Sequence, residues 1–394
     1  MRKFAVVILG AALVVLVLWG WYQTPAGKTA IQTESPAKPT SVLSHSNGPQ
    51  DTDSAAGRAK ALCSSAFAKA FDARARHVGL QQDAASQLAY AMAVPFDVEP
   101  DIDRMQPAEL ERIAMGRQRE ANRALLRAAE LAPEQPGILF LAAAQCTGQA
   151  ACRGVQQALL AAEPDNMAAW LLEMNWAKAR DDSEGARIAI KRAAQASRYD
   201  MHVETRLQML VDAYGGSPPP AACTGESAMA AFRRETGMAH GDSFFDHALV
   251  RAAGTRASVS YGAIREQCLP ARPAVVDQVG QKACRTILER LAKGETFLER
   301  GVGLALLLQL LGDSPDATPW RESYREELWM RAQMMDLETF APQRPEDYAL
   351  NEVGAYRGAL EAAGRWPPPA DWLPSDENAR SLIQTGRPPA KPNR

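Results

Sequence analysis

Residues 121–136 read ANRALLRAAELAPEQP, residues 155–166 read VQQALLAAEPDN, and residues 186–200 read ARIAIKRAAQASRYD. Each segment is rich in alanine, carries apolar residues at helical spacing, and ends in a short break. The breaks fall at Pro133, Pro164 and Arg198, which are 31 and 34 residues apart. A period in the low thirties built from pairs of helices is typical of stacked helical hairpins. The three segments therefore predict an all-α fold of stacked antiparallel hairpins.

These segments resemble the tetratricopeptide repeat, over roughly residues 105–200. The resemblance rests on a small, bulky, small, proline pattern in the second helix and an aromatic residue in the first: Ala121, Leu125, Ala128 and Pro133, then Ala186, Ile190 and Ala193, with Trp170. Arg198 replaces the family's proline, Glu173 replaces a leucine, and the middle unit is three residues short. The resemblance implies a superhelix that presents a binding groove. A generic helical bundle is the alternative, because any array of close-packed hairpins selects small residues.

The N-terminal residues 1–22 predict a membrane anchor. Arg2 and Lys3 precede an uncharged apolar run over residues 4–22, which as a helix would be about 28 Å long, close to the hydrocarbon core of a bilayer. The run ends in Trp19, Trp21 and Tyr22, which favours an interfacial aromatic belt over the small residues of a cleavage site. We expect an uncleaved signal anchor in a bacterial inner membrane, with a cytoplasmic N-terminus and a periplasmic body. A cleaved signal peptide is the alternative.

Composition divides the rest of the chain. Residues 23–56 are rich in Pro, Ser and Thr and predict a flexible tether. Residues 57–214 form the helical-repeat region, GGSPPPAACTG after Tyr214 marks a break, and residues 215–365 form a second helical region. In the latter, VGLALLLQLL at 302–311 is too short to span a bilayer and predicts a buried core helix. Residues 366–394 are a Pro-rich tail that trails or docks through its tryptophans.

Six cysteines follow the apolar run, an even count that suits disulfides in an exported chain. Cys146 and Cys152 flank a predicted turn between two helices, so we expect them to bond. The other four cysteines allow three pairings, of which we favour Cys268 with Cys284 and Cys63 with Cys223. Buried free thiols in a cytosolic helical protein are the alternative.

The segment HGDSFFDH, residues 240–247, is the one candidate for a catalytic or metal site in the sequence. It places five polar side chains within eight residues: His240, Asp242, Ser243, Asp246 and His247. The histidines are seven residues apart, or two helical turns, but HExxH and a second ligand group are both missing. The GDS triplet is similar to that of GDS-type esterases, which place it after a buried strand that is not predicted here. We therefore favour a helix cap at Asp242 or Ser243, with a metal site or a nucleophile as alternatives.

Two other patterns suggest structure rather than chemistry. The GxG at Gly301–Gly303 lacks the third glycine of a dinucleotide site and indicates close packing of two helices. The run RESYREE, residues 321–327, predicts a solvated helix face with paired charges.

Charge and composition restrict the function. The chain of 394 residues has 44 basic and 46 acidic side chains, without the clustered basic excess of a nucleic-acid binder. We expect no cofactor and no nucleic acid. The leading hypothesis is a scaffold that binds another envelope protein or peptide and is held in the inner membrane through residues 4–22. The alternative is an envelope hydrolase or metal-dependent enzyme with its site around His240–His247.

Overall fold

The computed structural model describes residues 55–94, 106–146, 150–215, 220–223, 261–269, 278–334 and 345–389. In these ranges the chain is helical and contains no strand, only a single isolated β-bridge. The all-α prediction is confirmed. The chain divides into two compact units, Met1–Arg74 with Gly216–Asp246, and Ala75–Gly215 with His247–Arg394.

The first unit contains most of helix α1 (Ala55–Gly79) and a short 3₁₀ turn at Ala221–Cys223. Phe67, Phe71 and Cys63 of α1 are buried, as is Cys223.

The second unit begins with seven helices: α2 (Ala84–Ala93), α3 (Pro107–Leu131), α4 (Pro136–Gln145), α5 (Ala150–Ala162), α6 (Met167–Lys178), α7 (Ser183–Gln195) and α8 (Val203–Tyr214). Prolines in the first turn start α3 and α4, where an N–H would have no partner in the helix. From α3 to α7 each helix packs on the next one, and α3 also packs on α5 and α4 on α6. The predicted breaks at Pro133, Pro164 and Arg198 all lie between these helices.

The remaining helices of this unit are α9 (Tyr261–Cys268), α10 (Gln278–Leu291), α11 (Phe297–Leu311), α12 (Thr318–Met334), α13 (Pro345–Ala362) and α14 (Glu377–Thr385). Helix α11 is the predicted core helix, with Leu304, Leu307 and Leu308 fully buried. It packs between α10 and α12, while α10 also packs on α7 and α13 on α8. Helices α2 to α8 and the later helices thus share one compact body.

The segment after Trp366 docks on this body and includes a helix that the sequence analysis missed. Trp372 packs edge-on against Trp329 of α12, with ring centroids 5.1 Å apart. Helix α14 packs on α11 and α12. Nη1 of Arg325 donates a hydrogen bond to the carbonyl of Pro369 at 2.6 Å. The Pro-rich segment is therefore part of the packed body, at least as far as α14.

None of the helices in the described ranges is long and apolar enough to cross a membrane. The apolar run at residues 4–22 and the tether at 23–56 lie outside those ranges.

Candidate functional site

All six cysteines lie in the described ranges and all are paired. The bonds join Cys63 to Cys223, Cys146 to Cys152, and Cys268 to Cys284, with Cα–Cα distances of 4.8, 5.6 and 5.4 Å. These distances are ordinary for disulfides. This is the pairing that the sequence analysis favoured, and the structure contains no free thiol for catalysis.

The four catalytic candidates of the sequence analysis lie outside the described residues: His240, Asp242, Ser243 and His247. Within the described ranges, no group of three or more His, Cys, Asp or Glu side chains is placed to hold a metal ion. Polar side chains do converge there in two clusters, each around a buried carboxyl, and a separate cleft lies on the surface.

The first cluster joins two connections between helices. The α5–α6 and α7–α8 connections run side by side and form a parallel bridge between Asn166 and Arg198. The backbone N–H of Met167 donates to the carbonyl of Arg198 at 2.9 Å, and the N–H of Arg198 donates to the carbonyl of Asp165 at 3.1 Å. The C-terminal ends of α5 and α7 and the N-terminal ends of α6 and α8 are thereby tied together.

Side chains complete this junction, which we call the loop clamp: Glu163, Asn166, Arg198, Asp200 and His202. The Glu163 side chain is only 2% exposed. It accepts hydrogen bonds from Arg198, from Nδ2 of Asn166 at 2.9 Å and from Nε2 of His202 at 2.9 Å. Burial alone would raise the pKa of Glu163, but these three donors together hold that pKa below its usual range.

The second cluster is built around Glu299 at the start of α11. Tyr199, in the α7–α8 connection, donates its hydroxyl to Oε1 of Glu299 at 3.0 Å. Tyr261 of α9 hydrogen-bonds to Tyr199. Burial raises the pKa values of Glu299 and of both tyrosines, while it lowers the pKa of the nearby Arg206 of α8.

Two more carboxyls, one of them only half-buried (Glu352), extend this cluster, which we call the acid cluster (Tyr199, Glu299, Glu327 and Glu352). Glu327 of α12 is fully buried and forms an ion pair with Arg331 one turn later. Oε2 of Glu352 accepts a hydrogen bond from the backbone N–H of Phe297 at 2.8 Å. Burial raises the pKa of Glu327 and that of Glu352. The sequence analysis was wrong to expect a solvated face throughout residues 321–327.

Gly301 makes room for this ion pair. A Cβ atom at this position would lie 2.3 Å from Nη2 of Arg331 and 2.8 Å from Oε1 of Glu327. Gly303, two residues further, makes room for α10, because its Cβ would lie 2.3 Å from the backbone nitrogen of Ala292. The prediction that this GxG marks close packing of two helices is confirmed.

Both clusters have a structural role, because their carboxyl groups bind to other parts of the protein. The carboxyl of Glu163 accepts bonds from three donors of the protein, and those of Glu299, Glu327 and Glu352 each face a tyrosine, an arginine or a backbone N–H. Because buried charges are costly unless paired, such pairing holds elements in register. Residues 198–202 supply side chains to both clusters, with Tyr199 in the second, so this short connection links the α5–α6 connection to α9 and α11.

The surface carries a cleft of about 500 Å³ between α12 and the C-terminal segment. Most of its lining is apolar, with Leu328 from α12, Trp372 and Leu373 before α14, and Ala379 from α14. Arg380 is the one basic residue in its lining. The apolar lining of this cleft is open to solvent: Leu373 is 37% exposed.

Sequence reasoning missed both clusters and the cleft, because their members are far apart in the chain. Tyr199 and Glu299 are 100 residues apart in the sequence. In the loop clamp, Glu163 lies 39 residues before His202. One local signal was present: Thr296 and Glu299 have the spacing of a capping box, and Thr296 Oγ1 does accept the N–H of Glu299 at 3.2 Å.

No protein-family model matches the chain, and comparisons with curated proteins and with solved structures likewise found no match.

Proposed function

We propose that this protein is a membrane-anchored scaffold whose stacked helical hairpins, degenerate relatives of the tetratricopeptide repeat, bind another envelope protein or peptide. The observation that carries the proposal is the stack itself. Helices α3 to α7 pack on their neighbours in order, and the loop clamp joins the α5–α6 connection to the α7–α8 connection. Such an array presents a continuous, rigid surface made of neighbouring helices, and it needs no reactive group to bind a partner.

The disulfides support the location outside the cytosol. Three bonds use all six cysteines, and stable disulfides belong to oxidising compartments such as the periplasm. In this proposal residues 4–22 hold the protein in the inner membrane, residues 23–56 act as the tether, and the body faces the periplasm. Extraction of membranes with alkaline carbonate tests the anchor: we expect the protein to stay in the pellet, and its release would contradict an uncleaved anchor.

Photo-crosslinking in living cells tests the binding function. Ile188 lies on α7 in the stack and is 47% exposed, so a photoreactive amino acid there reports on a partner of the hairpins. Val211 on α8 is 41% exposed and lies outside the stack of α3 to α7. It is a control of matched exposure. We expect a reproducible adduct from position 188 and a weaker one, or none, from position 211.

A second bait separates the scaffold from the enzyme hypothesis. It carries alanine at His240, Asp242 and His247 together with the photoreactive residue at 188. An adduct that survives these replacements, with cellular function intact, supports the scaffold. Loss of cellular function with an unchanged adduct and unchanged folding would favour the enzyme, and the lack of any adduct with either bait would reject the scaffold.

A further inference from the structure

The cleft between α12 and the C-terminal segment is preformed. Trp372 in its wall packs on Trp329, and Asp376 caps α14 by accepting the N–H of Ala379 at 2.7 Å. Arg380 is tied to the same wall, since its Nε donates to the carbonyl of Pro374 at 3.3 Å and its Nη2 to that of Ser375 at 2.9 Å. A ligand would therefore meet walls that are already in place, which lowers the entropic cost of binding.

The cleft combines an apolar surface with a fixed cation. Leu328, Trp372 and Leu373 provide the apolar surface. No carboxylate among the described residues forms an ion pair with Arg380, and Nη1 of its guanidinium has no hydrogen-bond partner there. Asp376 lines the cleft as well, but its carboxylate faces the backbone of α14. The arrangement complements a ligand with an apolar side chain beside a carboxylate, because a guanidinium binds carboxylates through charged hydrogen bonds.

We propose that this cleft binds an extended peptide segment of a partner protein, in which an aliphatic or aromatic side chain is adjacent to Asp or Glu. The apolar side chain packs on Leu328, Trp372 and Leu373, and the acidic one pairs with Arg380. A volume of about 500 Å³ is within the usual size of ligand sites, about 300–1,000 Å³. This inference rests on the proposed binding function and gives it a second surface, separate from the hairpin stack.

Selection from a random library of 12-residue peptides on the immobilised full-length protein tests the proposal. We expect enrichment of sequences that pair an apolar residue with Asp or Glu. With Arg380→Gln the acidic residue should no longer be enriched, whereas Arg380→Lys keeps the charge and should preserve part of the enrichment. The absence of an enriched motif, or the same acidic motif with Arg380→Gln, would overturn the proposal.

One enriched peptide and its Glu→Gln or Asp→Asn counterpart then serve as labelled probes in fluorescence polarisation. Arg380→Gln should weaken binding of the acidic probe about tenfold or more and leave the neutral probe unchanged. Ala332→Trp, at an exposed position in the lining, should fill the cleft and block both probes. Thermal unfolding of each variant checks that the fold is retained; equal binding by wild type and Ala332→Trp would place the peptide elsewhere.

The peptide selection and the photo-crosslinking experiment distinguish failure of the cleft proposal from failure of the scaffold proposal. If the library yields no motif while the photoreactive residue at 188 still forms its adduct, the cleft proposal is wrong and the scaffold stands. If the library succeeds while position 188 forms no adduct, the protein binds peptides through the cleft and the hairpin stack has another role.

Discussion

Asn166 uses its whole side-chain amide. Nδ2 donates to Glu163 and to the carbonyl of Asp200, both at 2.9 Å, and Oδ1 accepts the N–H groups of Ala168 at 3.1 Å and Asp200 at 3.0 Å. Because one residue both caps α6 and joins the neighbouring connection, its loss leaves several buried groups unpaired. We expect Asn166→Ala to lower the free energy of unfolding by about 2–4 kcal/mol, measured by chemical denaturation.

The control for this substitution is Asn378→Ala. Asn378 lies in the first turn of α14, and the described residues offer its side chain no hydrogen-bond partner. Its replacement should change the free energy of unfolding by about 0.5 kcal/mol or less. Equal effects of the two substitutions would mean that the loop clamp does not stabilise the fold.

Glu163 makes the loop clamp sensitive to acid. Its pKa is lower in the folded protein than in the unfolded chain, so the folded state binds fewer protons between the two values. The stability contributed by this carboxylate is therefore complete above the unfolded pKa, about 4.3, and is lost as the pH falls toward the folded pKa. We expect Glu163→Gln to cost about 2–4 kcal/mol at pH 7, and to cost less at each lower pH below about 4.5.

Denaturation curves at several pH values measure this difference, with Glu130→Gln as the control. The Glu130 side chain is 68% exposed and, among the described residues, pairs only with Arg127 on the surface, so its replacement should have an effect of about 0.5 kcal/mol or less at any pH. A gap between wild type and Glu163→Gln that widens in acid would contradict the direction of the pKa shift.

At the scale of the elements, the contact between α10 and α11 depends on Gly303. A Cβ there would lie 2.3 Å from the nitrogen of Ala292 and 2.5 Å from the carbonyl carbon of Leu291, both of them backbone atoms. We expect Gly303→Ala to separate the helices and cost about 1–3 kcal/mol in the free energy of unfolding. Gly358→Ala in α13 meets no atom within 4 Å and should instead stabilise the protein by about 0.5–1 kcal/mol. If both substitutions stabilise it, the helices have room to move apart.

The elements that sequence reasoning predicts are those with a local pattern. Residues 302–311 form a buried helix because apolar residues occupy every face, and Pro133 and Pro164 end helices because proline cannot continue them. Helix α14 was missed because prolines dominate the residues around it. Its nine residues have one clear local signal, Asp376 as the N-cap.

The candidate sites were much less predictable. Glu327 lies among charged residues, and its sequence context is that of a surface helix, yet it shares a face with the buried Tyr324 and Met330. Arg331 sits one turn later and supplies the counter-charge that permits burial. Tyr199 finds its partner in Glu299, a hundred residues away. No local pattern encodes such contacts, since they depend on how distant helices pack.

For the whole molecule, the three disulfides close loops of very different length, with sequence separations of 6, 16 and 160 residues. On the chain-entropy model, removing them costs about 2, 3 and 5 kcal/mol in that order. We expect pairwise Cys→Ser variants to rank accordingly, with the Cys63–Cys223 variant the least stable. Denaturation without a reducing agent measures the ranking, and a Cys146–Cys152 variant that is the least stable would show that strain or local packing outweighs loop entropy.

The order of these pairs along the chain has a consequence for biogenesis. Cys146 and Cys152 lie between Cys63 and its partner Cys223, so this bond is not made between neighbouring cysteines. If the body emerges into the periplasm in the order of its sequence, Cys63 meets Cys146 well before Cys223 arrives, and an oxidase that joins cysteines as they emerge will mispair them. We expect maturation to require a disulfide isomerase. Cells without one should accumulate protein in which Cys63 is mispaired, while Cys268 and Cys284, which are consecutive cysteines, still join.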